Sequence, residues 1–457
     1  MSDLRLNDEL KLRLGDAGMA FLASGVQAIN RLLPHVEVTD WKQDTWKLPG
    51  GRWSSSARTE LNATVSFGAK GEESSWSMSA TVRRRKVKGL TKPLSMAIDV
   101  REHDICNLVA VHLSGLLTRI PGILAERSAR HAVIRTFDET VVAAHIQKHH
   151  KLELSVASVL DAMHAMSEQS YENKALTFGC LLDPKKSLLP EGTMFPGDLL
   201  QLKKYKALSD GFRTAYLVSK HGAIVDFVDL EKYVSGGLTG SNHYPDWTGS
   251  LASASRGGRC GIALSRQGDI LIFDEGTLRF TYRFGQWQYW NHAHLIRLLR
   301  DRASASMKGK LDGNVVGATY RAALDVSFRR SGGLFVVLDH AKDLHEIVGN
   351  GDAVGDASRG DADSALDAVV ANKHIQYLPR SVLVELAALD GAIVLQKSGE
   401  IVAYGAVLRP RRSGKLKGSE GSRTKAAIGA SLYGLAVKVS SDGEISFYRE
   451  GQQFLHV

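Results

Sequence analysis

Two stretches far apart in this chain run in step. Ser265-Arg266-Gln267-Gly268-Asp269-Ile270 aligns without a gap on Ser440-Ser441-Asp442-Gly443-Glu444-Ile445, and the match continues to Glu275-Gly276 and Glu450-Gly451. Upstream, Gly222-Ala223-Ile224-Val225 echoes Gly391-Ala392-Ile393-Val394 at a comparable interval. Each half also opens with a helical stretch before that apolar run. Self-similarity of this kind predicts two related α/β units in one chain. The alternative is that Ser-x-x-Gly-(Asp/Glu)-Ile is only a hairpin with a polar turn, whose chemistry favours Gly beside Asp or Gln in any protein.

A chain of 457 residues with 44% apolar content can bury one large core or two to three ordinary ones. The formal net charge of +9 makes anionic partners plausible without approaching histone-like extremes. Cys106, Cys180 and Cys260 are odd in number and far apart, so neither a disulfide framework nor a zinc spacing follows. A reducing cytoplasm is the expected compartment. The N-terminal Met1-Ser2-Asp3-Leu4 has no basic-then-apolar leader pattern, and the apolar stretch 108–124 is broken by His112, Arg119 and Pro121, which excludes a membrane span there.

The first third reads as a separate α+β module. Leu10, Leu14, Met19, Leu22, Val26, Ile29 and Leu33 recur at helical spacing up to Pro34. Trp41, Trp46 and Trp53 follow, and 59–87 alternates as two antiparallel strands joined near Gly68–Glu73. Residues 102–167 read mostly helical, interrupted at Ile120-Pro121.

Two strings near the C-terminus carry chemistry. Asp390-Gly391-Ala392 opens the apolar run Ala392-Ile393-Val394-Leu395, which reads as a buried strand. Gly421-Ser422-Arg423-Thr424-Lys425 opens a small-residue stretch able to start a helix. A carboxylate at a strand edge can hold a divalent metal or accept a hydroxyl proton. A glycine, a hydroxyl and two cations at a helix start can cradle phosphates. Singly, each has a plainer reading: a turn aspartate, or the end of a solvated basic loop that includes Arg409, Arg411, Arg412, Lys415 and Lys417.

Paired, the two strings resemble the signature of the diadenylate cyclase (DAC) superfamily, an Asp-Gly-Ala with a Gly-(Ser/Thr)-Arg-His-Arg. The resemblance implies a DAC-like mixed sheet with flanking helices. It also implies two ATP joined into cyclic di-AMP with Mg or Mn across a face-to-face pair of domains. By it, Asp390 takes the metal and 3′-hydroxyl role, Gly391 and Ala392 line the nucleotide, and Gly421, Ser422, Arg423, Thr424 and Lys425 hold phosphate. The chain departs from the family in two places. Thr424 stands for its histidine and Lys425 for its second arginine, so a fork becomes a point charge. A later Ser-Glu-Glu-Thr-Gly is replaced by Ser440-Ser441-Asp442-Gly443, leaving Asp442 as the second metal candidate. That pattern looks more like the DACNV-type branch, described as a nucleotide-sensor domain.

The expected architecture is therefore α/β (α+β), with an N-terminal module over 1–150, a degenerate DAC-like half over 151–305 and a second half over 306–457. The degenerate half would have His221 in place of Asp390, and Arg256-Gly257-Gly258-Arg259-Cys260 in place of the phosphate string. Losing a histidine and a metal acid removes charge that a transition state needs more than a bound ground state does. The expected function is thus a purine-nucleotide or cyclic-dinucleotide sensor, with an active homo-oligomeric cyclase as the alternative. A third reading has Val82-Arg83-Arg84-Arg85-Lys86-Val87-Lys88 gripping nucleic acid, against a charged edge strand that blocks aggregation.

Other clusters carry less. His145, His149 and His150 include one i, i+4 pair but no acid at a His-Glu-x-x-His spacing, so a solvent-facing helix end is expected. Residues 349–364, rich in Asp and Gly, read as a linker, and the alternating Phe280, Tyr282, Phe284, Trp287 and Tyr289 read as sheet packing.

Overall fold

The computed structural model describes residues 22–44, 58–67, 74–84, 98–123, 127–187, 193–198, 208–233, 243–304, 312–349, 351–356, 361–410 and 421–457. It is an α+β protein with two sheet-containing halves. The described residues up to Trp290, other than His243–Trp247, form one compact unit; His243–Trp247 and those from Asn291 onwards form the second.

The first unit begins with a helix over 22–32, where Leu22, Ala28, Ile29 and Leu32 are wholly buried, as the 3.6-residue spacing requires. A three-stranded antiparallel sheet follows from β1 (Val36–Asp44), β2 (Arg58–Phe67) and β3 (Ser74–Arg84), in the order β1-β3-β2. The basic run therefore ends a central strand, not an edge strand. Helices Val100–Ile123, Arg127–His149 and Val156–Ser167 come next, and Ser155 caps the last by accepting the Ser158 N–H at 3.2 Å. Pro121 lies inside the first of these helices, one turn before its end.

After a minimal hairpin, β4 (Ser170–Tyr171) and β5 (Lys174–Ala175), the chain builds a seven-stranded sheet. Its strands are β6 (Phe178–Asp183), β7 (Thr214–Ser219), β8 (Ile224–Asp229), β9 (Cys260–Leu264), β10 (Ile270–Asp274), β11 (Thr277–Arg283) and β12 (Gln286–Tyr289). They are ordered β12-β11-β10-β9-β6-β7-β8, with only β6 and β7 parallel. Leu33, Ile105, Val141, Met163, Phe178, Ile262 and Tyr289 belong to one continuous core. The three cysteines are buried and free.

The second unit holds a six-stranded sheet of β13 (Gly333–Leu338), β14 (Ala392–Leu395), β15 (Ile401–Ala406), β16 (Gly434–Val439), β17 (Ile445–Arg449) and β18 (Gln452–His456). Its order, β15-β14-β13-β16-β17-β18, is the first sheet's order without β12, and here too the one parallel pair is the second and third strands from one edge, β14 with β13. Helices Gly313–Arg329, Arg380–Ala388 and Ser422–Ala430 pack on it. The aspartate-rich segment is not all linker. Asp361–Val370 is a helix, and Asp367 accepts the Tyr404 hydroxyl at 2.6 Å and the Gly355 N–H at 2.9 Å.

The duplication extends to single hydrogen bonds. Ser265 N–H reaches Asp269 O at 2.9 Å, and Ser440 N–H reaches Glu444 O at 2.9 Å. Each serine hydroxyl accepts the returning N–H at 3.0 Å, from Asp269 and Glu444 respectively. Ser255 and Ser431, each ending the helix before the central strands, receive the N–H of Gly276 at 3.1 Å and Gly451 at 2.9 Å. A shared polar turn would explain the first match; it does not explain the second or the shared strand order.

The strand register corrects part of the sequence alignment. Phe178 pairs with Leu264 as Gly333 pairs with Val439, and Cys180 pairs with Tyr216 as Phe335 pairs with Ile393. Tyr216 therefore matches Ile393, and Lys220-His221-Gly222-Ala223-Ile224-Val225 matches Lys397-Ser398-Gly399-Glu400-Ile401-Val402. The turn bonds agree: Ser219 N–H to Ala223 O at 2.8 Å, Gln396 N–H to Glu400 O at 2.9 Å. His221 is thus the counterpart of Ser398, and Arg213 is that of Asp390. The Arg256–Arg259 loop follows its helix instead of opening it, so it is no counterpart of Gly421–Lys425. Counting back from Ser255 and Ser431, that place belongs to Pro245–Gly249.

Among the described residues no helix is long and apolar enough to cross a membrane.

Candidate functional site

Parallel β13 and β14 start at the same sheet end, and antiparallel β16 finishes there. That geometry collects the sequence candidates. Asp390-Gly391 precedes β14, Ser440–Gly443 follows β16, and the helix Ser422–Ala430, which runs back to β16, begins there.

Asp390 is delivered by the helix Arg380–Ala388, which buries Leu383, Val384, Leu386 and Ala387. Its first residue is clamped: Arg380 donates to both oxygens of buried Asp325 at 2.6 and 2.8 Å and to the Tyr244 carbonyl at 2.5 Å. Asp390 itself is exposed and makes no hydrogen bond or ion pair with the described residues. Gly391, at φ +120°, has a structural reason to be glycine. An added Cβ would stand 2.4 Å from the Gly405 carbonyl carbon, so strands β14 and β15 approach as only glycine permits. Ala392 is buried.

At the helix start, Gly421 accepts the N–H of Thr424 at 3.0 Å and of Lys425 at 3.1 Å. The N–H groups of Ser422 and Arg423 have no partner among the described residues, and no side chain caps the helix. They point out of the helix end, where the dipole favours an anion. Arg423 lies across Gly332: a Cβ there would meet its Nη1 at 2.5 Å and the Ser441 N at 3.5 Å. One guanidinium thus borders both the β13 start and the Ser440 turn. Thr424 is not bare, since Lys438 on β16 donates to its hydroxyl at 3.0 Å. Sequence reading missed Lys438, which reaches the site only through strand pairing. Lys425 is exposed.

Asp442 accepts the Ser440 hydroxyl within its turn. That bond is the main cause of a carboxyl pKa below the usual range, with Lys438 contributing. Asp390 and Asp442 belong to no group of three metal-ligating side chains among the described residues. The donors fit a cation that takes one or two carboxylates and leaves its remaining positions to phosphate oxygens and water, as Mg²⁺ does.

The corresponding end of the first sheet differs at each place. Arg213 stands for Asp390, Gln267 for Asp442, and Pro245–Gly249 for the phosphate string. Asp210 is nearby but committed, its Oδ1 accepting the N–H groups of Phe212, Arg213 and Thr214 at 3.0, 2.8 and 3.0 Å.

The two described cations of the basic run near the N-terminus are consumed by the fold. Arg83 donates to Glu37 at 2.8 Å, and Arg84 is buried with both Nη groups 2.6 Å from Glu102. Arg85–Lys88 lie outside the described residues. The histidine cluster is solvent-facing only at His149, since His145 and His150 are buried. Most of the aromatic run is core, with Phe280, Trp287 and Tyr289, and Trp290 after them, nearly inaccessible, Tyr282 partly buried, and Phe284 exposed in the turn after β11.

No family model matches the chain, and no curated protein matches it. Among solved structures it is similar to the hypothetical membrane spanning protein from Bacillus cereus, at 22% identity over 36% of this chain and 74% of that one, with a TM-score of 0.25. It is also similar to a double mutant of DacA from Staphylococcus aureus, at 22% identity over 31% of this chain and 86% of that one, with a TM-score of 0.21. Both likenesses are weak, and what the site does is argued from the chain's own residues.

Proposed function

We propose that the protein is a purine-nucleotide or cyclic-dinucleotide sensor whose ligand lies at the β13–β14–β16 end of the second sheet. The supporting observation is the asymmetry between two otherwise matched sheets. Among the described residues, only the second gathers a carboxylate without a partner (Asp390), an uncapped helix start (Ser422, Arg423) and cations (Arg423, Lys425, Lys438) at one end. Arg423, Lys425 and the Ser422 and Arg423 N–H groups would hold phosphate, with Gly391 and Ala392 lining the nucleotide. Asp390 would hold the ribose or a Mg²⁺ or Mn²⁺ ion, which would neutralise phosphate charge when bound. In this reading 151–305 is a DAC-like half retained for structure, 306–457 is the ligand-binding half, and 1–150 precedes them.

One observation favours catalysis as a second reading. Lys438, 3.0 Å from the Thr424 hydroxyl, puts an ammonium beside the position where the DAC signature has its histidine. That charge could replace part of what the departures remove, and a second copy of the chain would bring the second ATP. Incubation with ATP and Mn²⁺, followed by mass spectrometry for cyclic di-AMP, separates the two readings. A sensor gives no product yet is thermally stabilised by ATP or cyclic di-AMP. Product that disappears in Asp390→Asn would establish a cyclase, and neither product nor stabilisation would sink both.

A further inference from the structure

Within the first unit the last turn of the helix Arg127–His149 meets the end of β10. His149, His150 and Asp274 each offer one ligand atom there, and all lie within 4.8 Å of one another. His149 Nε2 is 3.5 Å from Asp274 Oδ2, and His150 Nε2 is 3.7 Å from Asp274 Oδ1. Four-coordinate zinc with bonds of about 2.0–2.1 Å separates its ligand atoms by about 3.4 Å. Each histidine nitrogen is thus within a few tenths of an ångström of that spacing from one oxygen of Asp274.

Two further observations point to a ligand. Asp274 is 5% exposed, yet its Oδ1 has no hydrogen-bond donor. A buried carboxylate oxygen left unsatisfied is costly, and a cation would relieve it. His150, also 5% exposed, has Nδ1 2.9 Å from the Gly258 carbonyl. A carbonyl only accepts, so Nδ1 carries a proton and Nε2 is the nitrogen turned towards Asp274. This is how metal-bound histidines are oriented, with the far nitrogen donating to a backbone oxygen. Arg101 plays the corresponding part for the acid, donating to Oδ2 at 2.5 Å and leaving Oδ1 facing His150.

His149 is partly exposed and opens the cluster to solvent. The equivalent position in the second sheet is Arg449, which is bonded to Asp339 at 2.7 and 2.9 Å, so the cluster belongs to the first sheet alone.

We propose that His149, His150 and Asp274 form a binding site for a borderline divalent transition metal such as Zn²⁺, with one coordination position left to solvent. The competing occupant is an anion, since Arg101 and Arg279 also line this pocket. The test uses the full chain stripped of metal. Calorimetry with Zn²⁺ should show a site that His149→Gln and His150→Gln each weaken at least about tenfold. Co²⁺ should give visible bands of a four-coordinate ion that fade in both variants, with circular dichroism confirming that each remains folded. Absence of Zn²⁺ binding, or binding equal in wild type and both variants, would overturn the proposal. So would thermal stabilisation by inorganic phosphate without stabilisation by Zn²⁺, which would assign the pocket to an anion.

Discussion

Replacing Gly391 with alanine should cost the second unit a large part of its stability. The residue sits at φ +120°, where an L side chain is strained by about 1–3 kcal/mol. Its added Cβ would stand 2.4 Å from the Gly405 carbonyl carbon, 2.5 Å from the oxygen and 2.7 Å from the Ala406 nitrogen. All three are backbone atoms of β15, so no rotamer change relieves the contact. Strand separation or distortion of that kind adds about 1–3 kcal/mol. The sum is about 2–6 kcal/mol, against a total of about 5–15 kcal/mol for an ordinary domain. Urea unfolding should therefore lose about 1–3 M at the midpoint, at a slope of about 2 kcal/mol per molar. Amide exchange should accelerate in β14 and β15 and stay unchanged in β6 and β9. Gly421→Ala is the control, since its Cβ would meet nothing within 4 Å and should cost less than about 1 kcal/mol. Equal losses for the two glycines, or a loss below about 1 kcal/mol at Gly391, would refute the packing account of this motif.

Three other outcomes follow from the same contacts. Glu102, wholly buried and 2.6 Å from His35 and from both Nη atoms of Arg84, should cost about 3–5 kcal/mol when changed to Gln, read as a lower thermal midpoint. Ser255→Ala and Ser431→Ala should each cost about 1–3 kcal/mol, because each leaves a glycine N–H without its acceptor; markedly unequal losses would argue against equivalent roles. The first unit should weaken in acid. Burial would raise Asp104 and Asp274, but His145 and Lys148 for the one, and His149 and Arg101 for the other, hold both near 2. Unfolded carboxyls bind protons near pH 3.9, so this stability is complete above that pH and disappears as pH falls towards 2. A flat melting profile from pH 5 to 2 would contradict those pairings.

What the sequence made legible is what depends on neighbours along the chain. The Ser-x-x-Gly turns, the apolar strands β13 and β14 and the helix opened by Gly421 all follow from local patterns. The Gly-Ala-Ile-Val echo misled because two strings in the second half, at Gly391 and at Gly399, share its shape, and only strand pairing chooses between them. Lys220 and Lys397, each two residues before the glycine, were the sequence signal for the correct register. Arg84 was read as a solvated or nucleic-acid-binding charge because its acid, Glu102, approaches through tertiary packing. Asp274 lies much farther still from His150 in sequence, so the histidine pair looked like an ordinary helix end.

The most direct measurement is calorimetric titration of cyclic di-AMP and of ATP, with Mn²⁺, into the full chain, into Arg423→Met and into Arg213→Met. If the second sheet alone carries the ligand site, at least one nucleotide binds, Arg423→Met weakens it at least about tenfold, and Arg213→Met leaves it unchanged. Loss of binding in Arg213→Met with retention in Arg423→Met would place the ligand on the first sheet and contradict the account.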